Sequence, residues 1–203
     1  MPGADDGREL VLASGSPRRS QLLAEAGIPF VAVTPSLSEP DDILTKLPPL
    51  QQAEALAYFK ARAVAEQMPG RYVLGADTIV AKGSEVLGKP SDEAAARRML
   101  RELSGARHRV ITGVALLGPG GERLIASDVT FITMRPMSPR EIDGYIASGE
   151  WRGKAGAYAI QETADRFVAA VEGSFSNVVG LPLELVRRML RELREHPEAH
   201  KAL

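Results

Sequence analysis

Residues 71–90 read RYVLGADTIVAKGSEVLGKP. Tyr72-Val73-Leu74 is an apolar run of the kind that forms a buried strand, and Ile79-Val80-Ala81 is a second. Between them Gly75-Ala76 leads into Asp77 and Thr78. An ionised carboxylate wedged between strand-like runs is costly unless a cation or hydrogen-bond donors meet it. Asp77 is therefore expected at a strand end, facing a polar site; capping a turn is the alternative that this stretch alone leaves open. Lys82-Gly83-Ser84 reads as a turn, and Gly88-Lys89-Pro90 places a lysine in another.

Upstream, Leu10–Ala13 is a short apolar strand followed by Ser14-Gly15-Ser16-Pro17-Arg18-Arg19 and a helix running to Ala26. Ser16 suits the helix N-cap, Pro17 the first helical position and Gly27 the end. A strand feeding a loop and a helix N-terminus offers free backbone N–H groups and the positive dipole end to an anion. Arg18 and Arg19 oppose that dipole, which is poor for the helix but apt for gripping phosphate. Phe30–Thr34 is a second strand, and the proline-bearing stretch from Pro35 to Pro49, with Glu39, Asp41 and Asp42, reads as irregular. From Leu50 to Gln67 the residues Ala53, Leu56, Ala57, Phe59, Ala61 and Val64 form one broad helical face, and Lys60 on that helix reads by default as a surface lysine.

Downstream, Ser91 is the expected cap of a helix whose Asp92 and Glu93 precede Arg97, Arg98 and Arg101, an order that matches the macrodipole. Arg109–Leu117 and Glu122–Met134 are β-rich and joined by so short a turn that they must run antiparallel, so the sheet is mixed. Ser138-Pro139-Arg140-Glu141 is a capping box opening a helix that Gly149 ends. WRGKAGAYAIQ (151–161) and GSFSNVVGLP (173–182) are small-residue loops that let backbone approach a ligand. Phe167–Val171 reads as a last strand, Leu183–Leu193 as a closing helix and HPEAHKAL as a loose tail.

Composition narrows the function. Hydrophobic residues make up 44% and charged residues 25% of 203, an ordinary globular balance. A net charge of -1 recruits neither nucleic acid nor anionic lipid, so any anion site is local. The absence of cysteine excludes thiol catalysis and disulfides, and His108, His196 and His200 form no ligand cluster. No apolar run approaches ~18 residues, so no membrane span is expected. The polar start MPGADDGRE is unlike a targeting peptide; residues 1–8 are expected as a disordered tail on a cytoplasmic protein, and 9–195 as a single domain.

Together these residues describe an α/β protein with an arginine-bearing strand-loop-helix, a carboxylate at a strand, a lysine in a Gly-Lys-Pro turn and two glycine-rich loops. No phosphate-loop or dinucleotide fingerprint occurs. ASGSPRR (13–19), GADTIV (75–80), LGKP (87–90), LSGARHRVITGV (103–114), GKAGAYAIQ (153–161) and GSFSNVVGLPL (173–183) resemble, in order, the motifs of the Maf family of nucleoside triphosphate pyrophosphatases. The resemblance implies a central mixed β-sheet flanked by helices, two lobes with a deep cleft, and metal-dependent cleavage of a nucleoside triphosphate to the monophosphate and pyrophosphate. Asp77 matches the family's catalytic proton acceptor; Arg18, Thr78 and Gln161 match positions that set base preference. Ser14, Arg19, Lys60 and Lys89 match substrate-binding positions, and Glu39 with Asp77 would hold a divalent cation, Mg2+ or Mn2+.

The 153–161 string resembles the subfamily acting on dTTP and UTP, and Glu162 stands where the family often has glycine. One glutamine amide can pair the adjacent carbonyl and N–H of uracil or thymine in both directions. Two alternatives stay open: a nucleotide-binding regulator of septum formation with incidental hydrolysis, and the same chemistry on a purine such as 7-methyl-GTP. The resemblance and the commonness of two-fold assemblies also imply a homodimer.

Overall fold

The computed structural model describes residues 10–36, 42–161 and 163–201. The tail expected over residues 1–8, Glu39 and Glu162 lie outside the described residues. Seven strands form one sheet: β1 (Leu10–Ala13), β2 (Phe30–Val33), β3 (Tyr72–Lys82), β4 (Glu85–Leu87), β5 (Arg107–Leu117), β6 (Arg123–Met134) and β7 (Val168–Glu172). Their order is β2-β1-β3-β5-β6-β7, with β4 pairing on β3. β1 runs parallel to β2 and β3, while the remaining pairs are antiparallel. The helices are α1 (Pro17–Glu25), α2 (Asp42–Thr45), α3 (Pro49–Ala65), α4 (Glu93–Leu103), α5 (Pro139–Ser148), α6 (Phe175–Val179) and α7 (Leu183–Glu195). The mixed α/β architecture read from the sequence is the one observed.

The site is placed by chain reversal about β1. The chain leaves β1 through α1 for β2 on one side, then returns through α3 to β3 on the other. Right-handed crossovers in opposite directions put the two helices on opposite faces. Accordingly Leu22 and Leu23 of α1 pack with Leu10, Leu12 and Leu74, whereas Ala57, Ala61 and Val64 of α3 pack with Val11, Ala13 and Val73. The carboxyl end of β1 is thus a topological switch point, where open α/β sheets leave a crevice. The sheet is notched there. β1 pairs with β3 only through Gly75, and β4 takes up pairing at Val80, so among the described residues no strand covers Ala76–Ile79 on that side.

The two faces differ in bulk. The α1 face carries a large core with Leu100, Leu103, Tyr145, Phe167, Val186 and Met189. The α3 face is thin, because α3 lies directly on glycine. A Cβ on Gly75 would come within 2.3 Å of the Ala57 carbonyl oxygen, and one on Gly113 within 2.3 Å of the Ala53 carbonyl. Alanines therefore fill the seam, and Phe59, expected on the buried face, is 41% exposed. Periodicity registers that a residue is apolar, and here the seam between helix and sheet holds alanines.

Four further expectations are corrected. The two apolar runs around Asp77 are one eleven-residue strand, so Asp77 sits mid-strand and not at a strand end; β5 supplies the continuous partner that carries the ladder past the carboxylate. The cap of α4 is Asp92, whose carboxylate accepts from the Ala95 N–H at 2.7 Å, and not Ser91. The 173–182 loop contains α6, capped by Ser174. The expected loose tail is ordered through Lys201, which bridges to Glu122 beyond a short turn at Pro197–His200. The capping box at Ser138 and Glu141 forms as read.

Candidate active site

At the notch a cleft of about 440 Å³ is lined by Ser14, Arg18, Arg19, Lys60, Asp77, Thr78, Lys89 and Gln161, all expected from the sequence. Glu39 is the one expected site residue outside the described set. Strand alternation separates the two central residues. Asp77 pairs across with Gly113 and faces α3, while Thr78 pairs with Thr112 and faces the α1 side.

On the α3 face, Lys60 Nζ donates to Asp77 Oδ1. The expected surface lysine is therefore an ion-pair partner, brought there by the close seat of α3 on Gly75 and Gly113. Their side chains are 26% and 16% exposed, so the carboxylate is shielded yet open to a ligand in the cleft.

On the other face, Arg19 brackets three segments. Its Nε donates to the Gly180 carbonyl (2.8 Å), its Nη1 to Ser14 Oγ (3.2 Å) and its Nη2 to Thr78 Oγ1 (3.1 Å). Burial lowers its pKa, the Asp77 carboxylate pulls it upward and Arg18 adds to the lowering. This arginine, of which a phosphate grip is expected, is observed to tie the β1 loop, β3 and the 173–182 segment together. Arg18, by contrast, is half-exposed on the cleft wall. Ser16 makes no side-chain cap on α1, so the helix N-terminus beside the cleft keeps its anion-seeking character.

The far wall is residues 153–161. The Gly156 N–H donates to the Gly88 carbonyl at 3.1 Å, which joins this segment to the turn bearing Lys89. Gly156 has φ +67, and a Cβ there would meet Val80 Cγ1 at 3.0 Å. The next residue, Ala157, is also left-handed at φ 61, a mild strain of a kind that collects at functional sites. Lys154 also lines the cleft, where the sequence marks its segment for close backbone approach but gives the lysine itself no signal. His108, expected only to lie outside any ligand cluster, stands behind the same wall.

His108 is 2% exposed, and its Nε2 lies 2.7 Å from the hydroxyl of Tyr158, another residue of the cleft wall. Burial, with a smaller contribution from the Lys82 charge, pushes the imidazole down from 6.5 to about 4. Between those values the unfolded chain binds the proton that the folded chain refuses. Stability from this group is therefore complete above pH 6.5 and lost as pH falls toward 4, by about 3 kcal/mol in all. Urea unfolding followed from pH 7.5 to 4 is expected to show that loss in wild type and a flatter profile in His108→Gln.

A family model described as Maf-like protein matches residues 9–193. A dTTP/UTP pyrophosphatase of Symbiobacterium thermophilum is 47% identical over 185 residues, 91% of this chain and 94% of its own length. One of Moorella thermoacetica is 48% identical over 183 residues (90% and 93%), and one of Caulobacter vibrioides 45% over 195 (94% and 98%). In structure the chain is similar to the Ham1 protein of Staphylococcus aureus, with a TM-score of 0.51 and 13% identity over 91% of this chain and 98% of that one. A HAM1 protein of Coxiella burnetii gives 0.51 and 18%, covering 91% and 99%. These two likenesses bear on the fold alone.

Proposed function

The chain belongs to the Maf-like protein family, and from that membership we propose that it is a nucleoside triphosphate pyrophosphatase acting on dTTP and UTP. The observation that carries the reading is the convergence at one notch of the Asp77 carboxylate with Arg18, Arg19, Lys60, Lys89 and Lys154. A triphosphate bears about four negative charges, which cations must offset before a nucleophile can approach. Names of relatives at 45–48% identity support the choice of bases.

In the proposed reaction a water gives its proton to Asp77 while its oxygen attacks the α-phosphorus. The α–β anhydride bond breaks, and pyrophosphate leaves with the bonding electron pair. Lys60 holds Oδ1 of the carboxylate, which leaves Oδ2 as the acceptor of the water proton. Lys89 and Lys154 on the cleft wall take up charge on the polyphosphate, while Arg18, Thr78 and Gln161 contact the base.

Among the described residues no group of three or more His, Asp or Glu could hold a metal ion. Asp77 is the only carboxylate among the described residues that line the cleft. That donor set fits a divalent ion shared with the nucleotide, because Mg2+ typically takes one or two carboxylates and fills its octahedron with phosphate oxygens and waters. Asp77, with Glu39, would hold it, and the bound ion supplies charge neutralisation. No helix among the described residues is long and apolar enough to cross a membrane.

The test is a panel of dTTP, UTP, dCTP, CTP, dGTP, GTP, ATP and 7-methyl-GTP, scored for pyrophosphate release with Mg2+ or Mn2+ and again with excess EDTA. Highest kcat/KM on dTTP and UTP, lost with EDTA, is expected. Preference for a purine, or binding without pyrophosphate release, would reject the reading in favour of the two alternatives.

A further inference from the structure

We propose that Thr112 is a positioning residue for base selection: through a one-way chain of hydrogen bonds it makes the Thr78 hydroxyl an acceptor toward the cleft, which favours uracil and thymine over cytosine. The inference rests on the dTTP/UTP reading above and deepens it.

Thr78 and Thr112 face each other across β3 and β5, with their hydroxyl oxygens 2.9 Å apart. Thr112 is fully buried, while Thr78 lines the cleft. Distance alone does not say which hydroxyl donates; the ends of the chain do. At one end Arg19 Nη2 lies 3.1 Å from Thr78 Oγ1, and a guanidinium only donates. At the other, Thr112 Oγ1 lies 3.1 Å from the Asn177 carbonyl, which only accepts. The protons therefore run from Arg19 to Thr78, from Thr78 to Thr112 and from Thr112 to Asn177.

The reverse arrangement would turn the Thr78 proton to the Gly180 carbonyl. That contact is long at 3.4 Å, and Arg19 Nε already donates to the same carbonyl at 2.8 Å. It would also forfeit the Thr112 bond to Asn177, so the first arrangement wins. The acceptor end is itself fixed. Asn177 is fully buried, and its Nδ2 donates to the Val110 carbonyl at 3.0 Å and to Thr130 Oγ1 at 2.9 Å.

With its proton turned to Thr112, the Thr78 hydroxyl has only a lone pair left to offer a ligand in the cleft it lines. Phosphate oxygens, being acceptors, gain nothing from it; a base N–H does. The proposal sets ring position 3 of the base opposite that oxygen: uracil and thymine carry N–H there, whereas cytosine carries an unprotonated nitrogen that would face lone pair with lone pair and has its donor amino group at position 4. The Gln161 amide can exchange its two ends by rotation and so suits either base. Turning the Thr78 proton outward either breaks its bond to Thr112 or reverses that bond at the cost of the one from Thr112 to Asn177.

The experiment compares kcat/KM for UTP and CTP, and for dTTP and dCTP, in wild type, Thr112→Val and Thr112→Ser. Wild type is expected to favour UTP. Thr112→Val keeps the shape and frees the Thr78 proton, and the UTP/CTP ratio is expected to fall by about tenfold or more. Thr112→Ser keeps the hydroxyl and should keep the ratio. The Asn177 carbonyl also accepts from the Gly180 N–H at 3.0 Å, so the valine variant orphans no buried acceptor there. Should thermal melts show that it does not fold, Thr112→Ala carries the same comparison.

A Thr112→Val enzyme that keeps the wild-type ratio, even with both rates lowered, overturns the chain and leaves the pyrophosphatase reading intact. Wild type cleaving CTP as well as UTP overturns it without any variant. Wild type cleaving none of the four overturns the reading on which it rests.

Discussion

Asp77→Asn is expected to lower kcat for dTTP by about 10²–10⁴-fold, the range a carboxylate base contributes. The substitution keeps the shape and removes both the charge and the proton-accepting oxygen. Lys60 then faces a neutral amide in place of the carboxylate it now pairs with. Because that ammonium is still reached by water in a partly open cleft, the fold should survive with a modest loss of stability. The measurement is pyrophosphate release at saturating dTTP, beside a nucleotide-binding titration and a thermal melt. Collapse of kcat with binding retained is the expected pattern. Activity within tenfold of wild type in a folded variant would show that another group, or hydroxide alone, takes the proton.

Gly113→Ala is the second large effect, and it acts from the opposite direction, through the backbone. The added Cβ would lie 2.3 Å from the carbonyl carbon and oxygen of Ala53 and 2.5 Å from the Glu54 nitrogen. These atoms belong to a helix that cannot rotate out of the way as a flexible side chain would, so α3 must lift from the sheet. Overpacking of this kind costs typically 1–3 kcal/mol and occasionally more, and contact with main chain puts Gly113 at the upper end, about 3 kcal/mol. Lifting α3 also draws Lys60 away from Asp77, so the surviving folded enzyme should lose activity as well. Gly144→Ala in α5 is the control. A Cβ there meets nothing within 4 Å, and replacing a helical glycine by alanine should stabilise by about 0.5–1 kcal/mol. Urea midpoints for the two variants are expected to move in opposite directions. Equal shifts would mean that the seat of α3 is not the constraint described.

Much of this was legible in the residues. Pro17 and Gly27 punctuate α1 by local chemistry, and Ser138 with Glu141 closes its capping box within four residues. The short turn after Leu117 forces an antiparallel pair and with it the mixed sheet. Local rules fail where the deciding partner is distant in the chain. Asp77 looked like a strand end because a carboxylate interrupts an apolar run; the ladder to β5 and the ammonium of Lys60 carry the strand through it, and neither is adjacent in sequence. Phe59 fitted a helical face that the sheet does not use, because glycines at 75 and 113 draw the alanines inward. Thr112 and His108 lie within the LSGARHRVITGV string, yet nothing adjacent in sequence assigns either a role. Their meaning comes from Arg19 and Asn177 at the two ends of one chain of hydroxyls, and from Tyr158 against a buried imidazole.

Strand alternation has a consequence for how such an enzyme can diversify. Asp77 and Thr78 are neighbours in the chain, yet they look into different halves of the protein, one toward α3 and the other toward Arg19 and α6. Substitutions on the α6 side can alter the Thr78 wall of the cleft without touching the contact between Lys60 and Asp77 on the other face of the sheet. A lineage built on this scaffold can therefore exchange substrates without reinventing its chemistry.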